Sequence, residues 1–186
     1  SNFNDISKLV FDKKEVTVFL WEVFVKAYDS FLALNGFAES QDFIDSLDIN
    51  LNKIEEKDKS RIIFEILESD YISDYSVLEV FIIKYRSQGI KIAIDDFGTG
   101  YSNFAHILKI RPNYIKIDGS LIKNINSDKN SYEMVKSIID FSKALNIKTI
   151  AEFVHSQEVF DLLIELGVEE FQGFYLAEPL PNIFWF

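Results

Sequence analysis

A chain of 186 residues that is 48% hydrophobic can bury one sizeable core, so a single domain over residues 1–186 is expected. A formal net charge of −11 argues against a general binding surface for DNA or RNA polymers. The lack of cysteine excludes disulfides and thiolate metal sites and fits a reducing, cytoplasmic setting, and no apolar run is long enough to insert in a membrane. No signal-peptide pattern is present, and the domain is compatible with the cytoplasmic part of a larger sensor protein.

Residues 3–12 read as a short helix with Ile6, Leu9 and Val10 on one side. From residue 16 to 34 apolar residues dominate, and Glu22, Lys26, Asp29 and Ser30 form one polar stripe. That is the pattern of a largely buried helix, ended by Asn35-Gly36. Residues 43–51 alternate in part and predict a strand ending in Asp48-Ile49-Asn50-Leu51. Residues 52–60 are charged and short. Residues 61–67 predict a buried strand enclosing Glu65, residues 76–88 an amphipathic helix stopped by Gly89, and residues 90–94 the next strand.

That strand runs into Asp95-Asp96-Phe97-Gly98-Thr99-Gly100. Adjacent carboxylates repel unless a cation or protons neutralise them, so the pair suggests a divalent-metal site, although for a lone pair a strand end with an Asp helix cap is the commoner reading. A short helix over 101–109 stops before Arg111-Pro112, and residues 114–118 predict a strand carrying Lys116 and Asp118. Met134, Val135, Ile138, Ile139 and Leu145 stripe the following helix. Residues 148–151 predict a strand ending at Glu152. Ser156 caps a helix that runs to Leu166 and stops at Gly167, and residues 168–173 give the last strand.

From residue 61 onward strands and helices alternate, which argues for an α/β fold of parallel strands with helical crossovers; a doubly wound sheet and a (β/α) barrel both fit. Polar residues stand at successive strand ends: Asn50, Glu65, Asp95 with Asp96, Lys116 with Asp118, Glu152 and Gln172. Barrel enzymes build their sites at that face. Asn, Asp and Glu oxygens suit Mg²⁺ or Mn²⁺, and two such ions can serve phosphodiester hydrolysis. Lys116 suits orientation of a water or stabilisation of phosphate charge.

The segments IDDFGTGYSN (94–103), YIKIDGSLI (114–122), TIAEFV (149–154) and FQGFYLAEPLP (171–181), with DINL (48–51) and FEILES (64–69), resemble the EAL domain family. The resemblance implies a TIM-like (β/α) barrel and hydrolysis of cyclic di-GMP to linear pGpG with a two-metal Mg²⁺ or Mn²⁺ site. It implies that Asn50, Glu65 and Asp95 hold one metal, and that Asp95, Asp96 and Glu152 hold the second and the attacking water. Lys116 would lie beside that water, Glu68 would stabilise the loop beginning at Asp96, and Gln172 and Asp118 would lie near the substrate. A homodimer is implied as well, with Tyr101, Ser102 and Asn103 near its interface. An inactive EAL domain that senses cyclic di-GMP or engages protein partners is the alternative.

The sequence departs from the family at three places. The Glu-Ala-Leu tripeptide is missing; Glu22-Val23-Phe24-Val25-Lys26 is its nearest counterpart and lies in the predicted helix. Asn50 and Glu65 are only 15 positions apart, too close for a full crossover helix. Either residues are omitted between Leu51 and Arg61, or the barrel is incomplete, with six strands. Finally, Phe153 and His155 stand where the family has glycine and a second glutamate, and His155 reads as a solvent-facing loop residue.

Overall fold

The computed structural model describes residues 44, 45, 47–49, 51–67, 75–98 and 104–177. The helices expected over 3–12 and 16–34, Asn50, Glu68 and the segment 101–103 lie outside these residues. The described chain divides into two compact units, one formed by residues up to Glu65 with Ile83–Lys91, the other by Ile66–Ile82 with the residues from Ile92 onward.

In the first unit the strand expected over 43–51 is replaced by helix. Asp48, Ile49 and Leu51 are helical, and the Asn52 N–H donates to the Asp48 carbonyl at 2.9 Å, the i to i−4 bond of an α-helix. The spacing explains the correction. Leu47 and Leu51, four apart, are both buried, whereas Ile49, which strand alternation would place beside them, is 60% exposed. The charged stretch that follows is folded: it holds one turn of helix, α1 (Glu56–Lys59), and the Ile54 and Ile62 N–H groups close turns onto Leu51 and Lys59.

Strand β1 (Ile63–Leu67) follows. Its Phe64 meets Tyr85 edge to face at 5.2 Å. Tyr85 belongs to α2 (Tyr75–Arg86); it is fully buried and spends its hydroxyl on Asp48 at 3.0 Å, while Lys84 ion-pairs with the same carboxylate. Helix α2 ends in a left-handed Gly89, φ +86°, as the sequence predicts.

The second unit is a parallel layer of four strands in chain order: β2 (Lys91–Phe97), β3 (Tyr114–Ile117), β4 (Lys148–Ala151) and β5 (Glu170–Phe171). Ile94 pairs with Ile115, Lys116 with Ile150, and Ala151 with Phe171. The crossovers are α3 (Phe104–Ile110), α4 (Gly119–Lys123) with α5 (Lys129–Ala144), and α6 (Gln157–Leu166). Strands buried on both faces read as continuous apolar runs, and Ile92, Ala93, Ile94, Ile115 and Ile117 are almost wholly inaccessible, as are Val135, Ile138 and Ile139 of α5 and Val159 and Leu163 of α6.

The helix ends follow local chemistry. The Asp128 carboxylate accepts the Asn130 and Ser131 N–H groups at the start of α5, the Ser156 hydroxyl accepts the Val159 N–H at the start of α6, and Gly167 closes α6 in the left-handed region. Helix α4, unforeseen in the sequence, is capped by Asp118, which accepts the Ser120 N–H at 2.8 Å.

Candidate active site

Strand β2 runs three residues beyond its expected end at Ile94 and takes both aspartates with it. In regular strand geometry neighbours point to opposite faces, so Asp95 and Asp96 would diverge. The β2–β3 register breaks between Ile94 and Phe97, and Asp96 adopts φ +54°. Aspartate tolerates that left-handed region better than most residues. This irregularity brings carboxylate oxygens of Asp95, Asp96 and Glu152 within 4.8 Å of one another. Phe97, buried at 1%, locks the strand back into the core just after the kink.

Strands β3 and β4 supply the remaining groups. Lys116 stands on β3, whose four residues are all buried, and is itself 3% exposed. Its Nζ lies 2.7 Å from Oδ1 of Asp95 and 2.7 Å from Oε1 of Glu152, the residue just past β4. Oδ1 of Asp95 also accepts the Asp96 N–H at 3.1 Å. A buried ammonium survives because two carboxylates surround it.

The electrostatic balance is negative. Burial raises the Asp96 carboxyl above the usual carboxylate range, Asp95 and Asp118 raise it further, and Lys116 opposes them in part. Burial likewise raises Glu152; Lys116 pulls it down, and Asp95 and Asp96 push it up. Carboxylates held above their ordinary pKa are those a cation would stabilise most. The donors are all hard oxygens, they converge, and their charge exceeds that of the single lysine, so the cluster fits a divalent cation such as those that take oxygen ligands.

Of the residues singled out in the sequence, the structure therefore gathers Asp95, Asp96, Lys116, Asp118 and Glu152. Glu65 is buried on β1, in the first unit. Gln172 follows β5, is exposed, and fastens the loop after β4 through its backbone, donating to the Ala151 carbonyl at 2.8 Å and accepting the Val154 N–H at 3.0 Å. His155 is exposed, with Nδ1 3.2 Å from the Phe153 carbonyl oxygen. Asp118 has a part the sequence did not reveal: besides capping α4 it faces Asp96. Phe153, in sequence only a departure from the family's glycine, is left-handed, φ +55°, and 51% exposed.

A parallel β/α layer whose successive strand ends carry carboxylates and a buried lysine defines the class of α/β domains that build their sites at the C-terminal ends of parallel strands. The sequence matches the EAL domain over residues 33–179, and the chain belongs to that family, with its TIM-like α/β fold. It is 34% identical over 193 aligned positions to the cyclic di-GMP phosphodiesterase PdeA of Borreliella burgdorferi, covering 96% of this chain and 28% of that protein. The chain thus spans little more than a quarter of that relative's length. The structure of the PaMucR phosphodiesterase in complex with c-di-GMP superposes with a TM-score of 0.70 at 29% identity, covering 82% of this chain and 59% of that one. Klebsiella pneumoniae BlrP1 has been solved with cy-diGMP and either manganese or calcium. It matches with a TM-score of 0.63 at 28% identity, covering 72% of this chain and 34% of that one in the manganese form, 71% and 33% in the calcium form. No helix among the described residues is long and apolar enough to cross a membrane.

Proposed function

We propose that this domain is a metal-dependent phosphodiesterase that hydrolyses one phosphodiester bond of cyclic di-GMP to linear pGpG in bacterial second-messenger signalling. The observation that carries the reading is the Lys116 ammonium held 2.7 Å from both Asp95 and Glu152, with Asp96 in the same carboxylate cluster. Asn50, Glu65 and Asp95 would hold one Mg²⁺ or Mn²⁺ ion, and Asp95, Asp96 and Glu152 the second. Bound there, the ions would supply Lewis-acid polarisation of the phosphate and acidify a water. Lys116, fixed by its two carboxylates, orients the water and offsets charge gathering on the phosphate oxygens. Attack on phosphorus breaks its bond to a ribose 3′ oxygen, which takes the proton and leaves a 5′-phosphate on the other nucleotide. Glu68 would steady the loop beginning at Asp96, while Asp118 and Gln172 border the substrate. The domain is expected to act as a homodimer in the cytoplasm, as one part of a longer protein.

One observation favours a second reading, an inactive EAL domain serving as a cyclic di-GMP sensor or protein-interaction module: the Glu-Ala-Leu tripeptide is missing from the sequence. Incubation of the purified protein with cyclic di-GMP in Mg²⁺, in Mn²⁺ and in EDTA separates the two. Metal-dependent appearance of pGpG is expected. Its absence under every metal condition would sink the phosphodiesterase reading, and tight binding without turnover would establish the sensor.

A further inference from the structure

We propose that Phe153 is a stacking platform for a purine base, set at the rim of the carboxylate cluster; this rests on the phosphodiesterase reading above. An exposed aromatic residue is by itself ordinary. Three features set this one apart. First, Phe153 holds φ +55°, a conformation costly for a bulky side chain and retained where surrounding structure enforces it. Second, despite that cost the ring is not used to fill the core: it is 51% exposed. Third, the fold makes room for it at Gly119. A Cβ on Gly119 would lie 2.7 Å from Cβ of Phe153 and 3.5 Å from its Cγ, so residue 119 must be glycine for Phe153 to sit where it does.

Phe153 adjoins the site through its chain neighbour and through Gly119. Glu152, the preceding residue, is ion-paired to Lys116. Gly119, packed against Cβ of Phe153, follows Asp118, which faces Asp96. His155 lies beside the ring, its centroid 5.5 Å away at a 45° tilt, and its Nδ1 approaches the Phe153 carbonyl. A flat apolar surface beside a cluster suited to cation and phosphate matches a ligand that joins a phosphodiester to a planar base. Stacking on an aromatic ring is how proteins hold such a base without reading its edge.

The test uses cyclic di-GMP binding by calorimetry in calcium, with turnover in Mn²⁺ alongside. Phe153→Ala is expected to weaken binding about tenfold, the scale of one lost stacking contact. Phe153→Trp and Phe153→Tyr are expected to stay within about twofold of the wild type, because a ring remains. Phe153→Gly relieves the backbone strain, so it is expected to melt no lower than the wild type while binding as weakly as the alanine variant, which separates lost stacking from misfolding. In competition, GMP is expected to lose affinity for Phe153→Ala in parallel, and ribose 5-phosphate, which has no base, is not. Ile164→Ala, at a comparably exposed apolar position on α6, is expected to change nothing. A wild type that binds cyclic di-GMP with Phe153→Ala unchanged, or equal losses for GMP and ribose 5-phosphate, overturns the platform alone. A wild type that neither binds nor hydrolyses cyclic di-GMP overturns the function and this inference with it.

Discussion

Nζ of Lys116 lies 2.7 Å from Oδ1 of Asp95, and the two side chains come from neighbouring parallel strands, β3 and β2. The pair accounts for an otherwise forbidding choice, an ammonium in a strand whose four residues are all buried. Glu152 closes the arrangement from β4, so three consecutive strand ends are tied by one cation.

Removing that cation leaves two largely buried carboxylates facing each other. Lys116→Ala is expected to lower stability by about 3 kcal/mol in EDTA, the cost of breaking a buried ion pair. Urea unfolding measures it. Mn²⁺ is expected to restore more stability to this variant than it adds to the wild type, since a divalent ion can take over the lysine's charge, yet turnover of cyclic di-GMP is expected to remain lost. A variant that keeps its midpoint in EDTA would show that the ion pairs contribute little.

Asp95→Asn tests the other partner with minimal disturbance. The amide oxygen can still accept the Asp96 N–H, so the kink of β2 is preserved while the charge is removed. Turnover is expected to drop at least about 100-fold, comparable to losing one preorganised electrostatic contact to a reacting group. Affinity for Mn²⁺ should fall with it. A near-normal kcat would refute the assignment of Asp95 to the metal site.

Some of this organisation is written locally in the sequence and some is not. Helix α6 is legible because Ser156 opens it and Gly167 closes it, and β4 because four residues sit between clear stops. The segment 43–51 misleads because Leu47 and Leu51, four apart, fit both periods, while Ile49 between them fits only the strand; burial of the first two without Ile49 reveals the helix. Helix α4 is too short to show a periodicity, and its one signal was the Asp118 cap. Of the strand ends read as a ring of polar groups, those at Asp95, Lys116 and Glu152 meet. What no pattern disclosed is how two adjacent aspartates share one site, since that depends on the backbone of Asp96 turning left-handed. The same holds for Phe153, whose conformation depends on a glycine 34 positions away.

Asp96 gives a pH-dependent prediction. Burial first, then Asp95 and Asp118, hold its carboxyl above the ordinary range. The folded state therefore binds this proton more tightly than the unfolded chain does. The group's contribution to stability is fully present below the unfolded pKa of about 3.9 and is lost as pH rises through the higher folded value. At neutral pH the metal-free protein bears the whole cost. Asp96→Asn removes it, and asparagine accepts a left-handed φ. In EDTA at pH 7–8 the variant is expected to melt about 2 °C higher, a small gain because Asp96 is partly solvated and screened. The difference should vanish below about pH 4. Saturating Mn²⁺ is expected to reverse the order, because the wild type gains a ligand the variant lacks. A variant less stable than the wild type throughout this range would contradict the raised pKa.

The junction after β5 makes the steric counterpart of these electrostatic tests. A Cβ on Gly173 would lie 2.2 Å from the carbonyl oxygen of Val154 and 2.3 Å from its nitrogen, both backbone atoms with nowhere to go. This close approach is what allows the Val154 N–H to reach the Gln172 carbonyl and the Tyr175 N–H to reach the Val154 carbonyl, each at 3.0 Å. Gly173→Ala is expected to cost about 3 kcal/mol, the upper end for overpacking, because backbone rather than a side-chain tip must move. Gly89→Ala is the control. It is also left-handed, but its nearest neighbours would be 3.9 Å from the new Cβ, so only the conformational penalty of about 1 kcal/mol remains. Because Val154 lies two positions beyond Glu152, the Gly173 variant is expected to lose turnover as well as stability, whereas the Gly89 variant keeps its kcat at temperatures where it is folded. Equal melting temperatures for the two alanine variants would mean that the contact between Gly173 and Val154 does not constrain the strand end that carries Glu152.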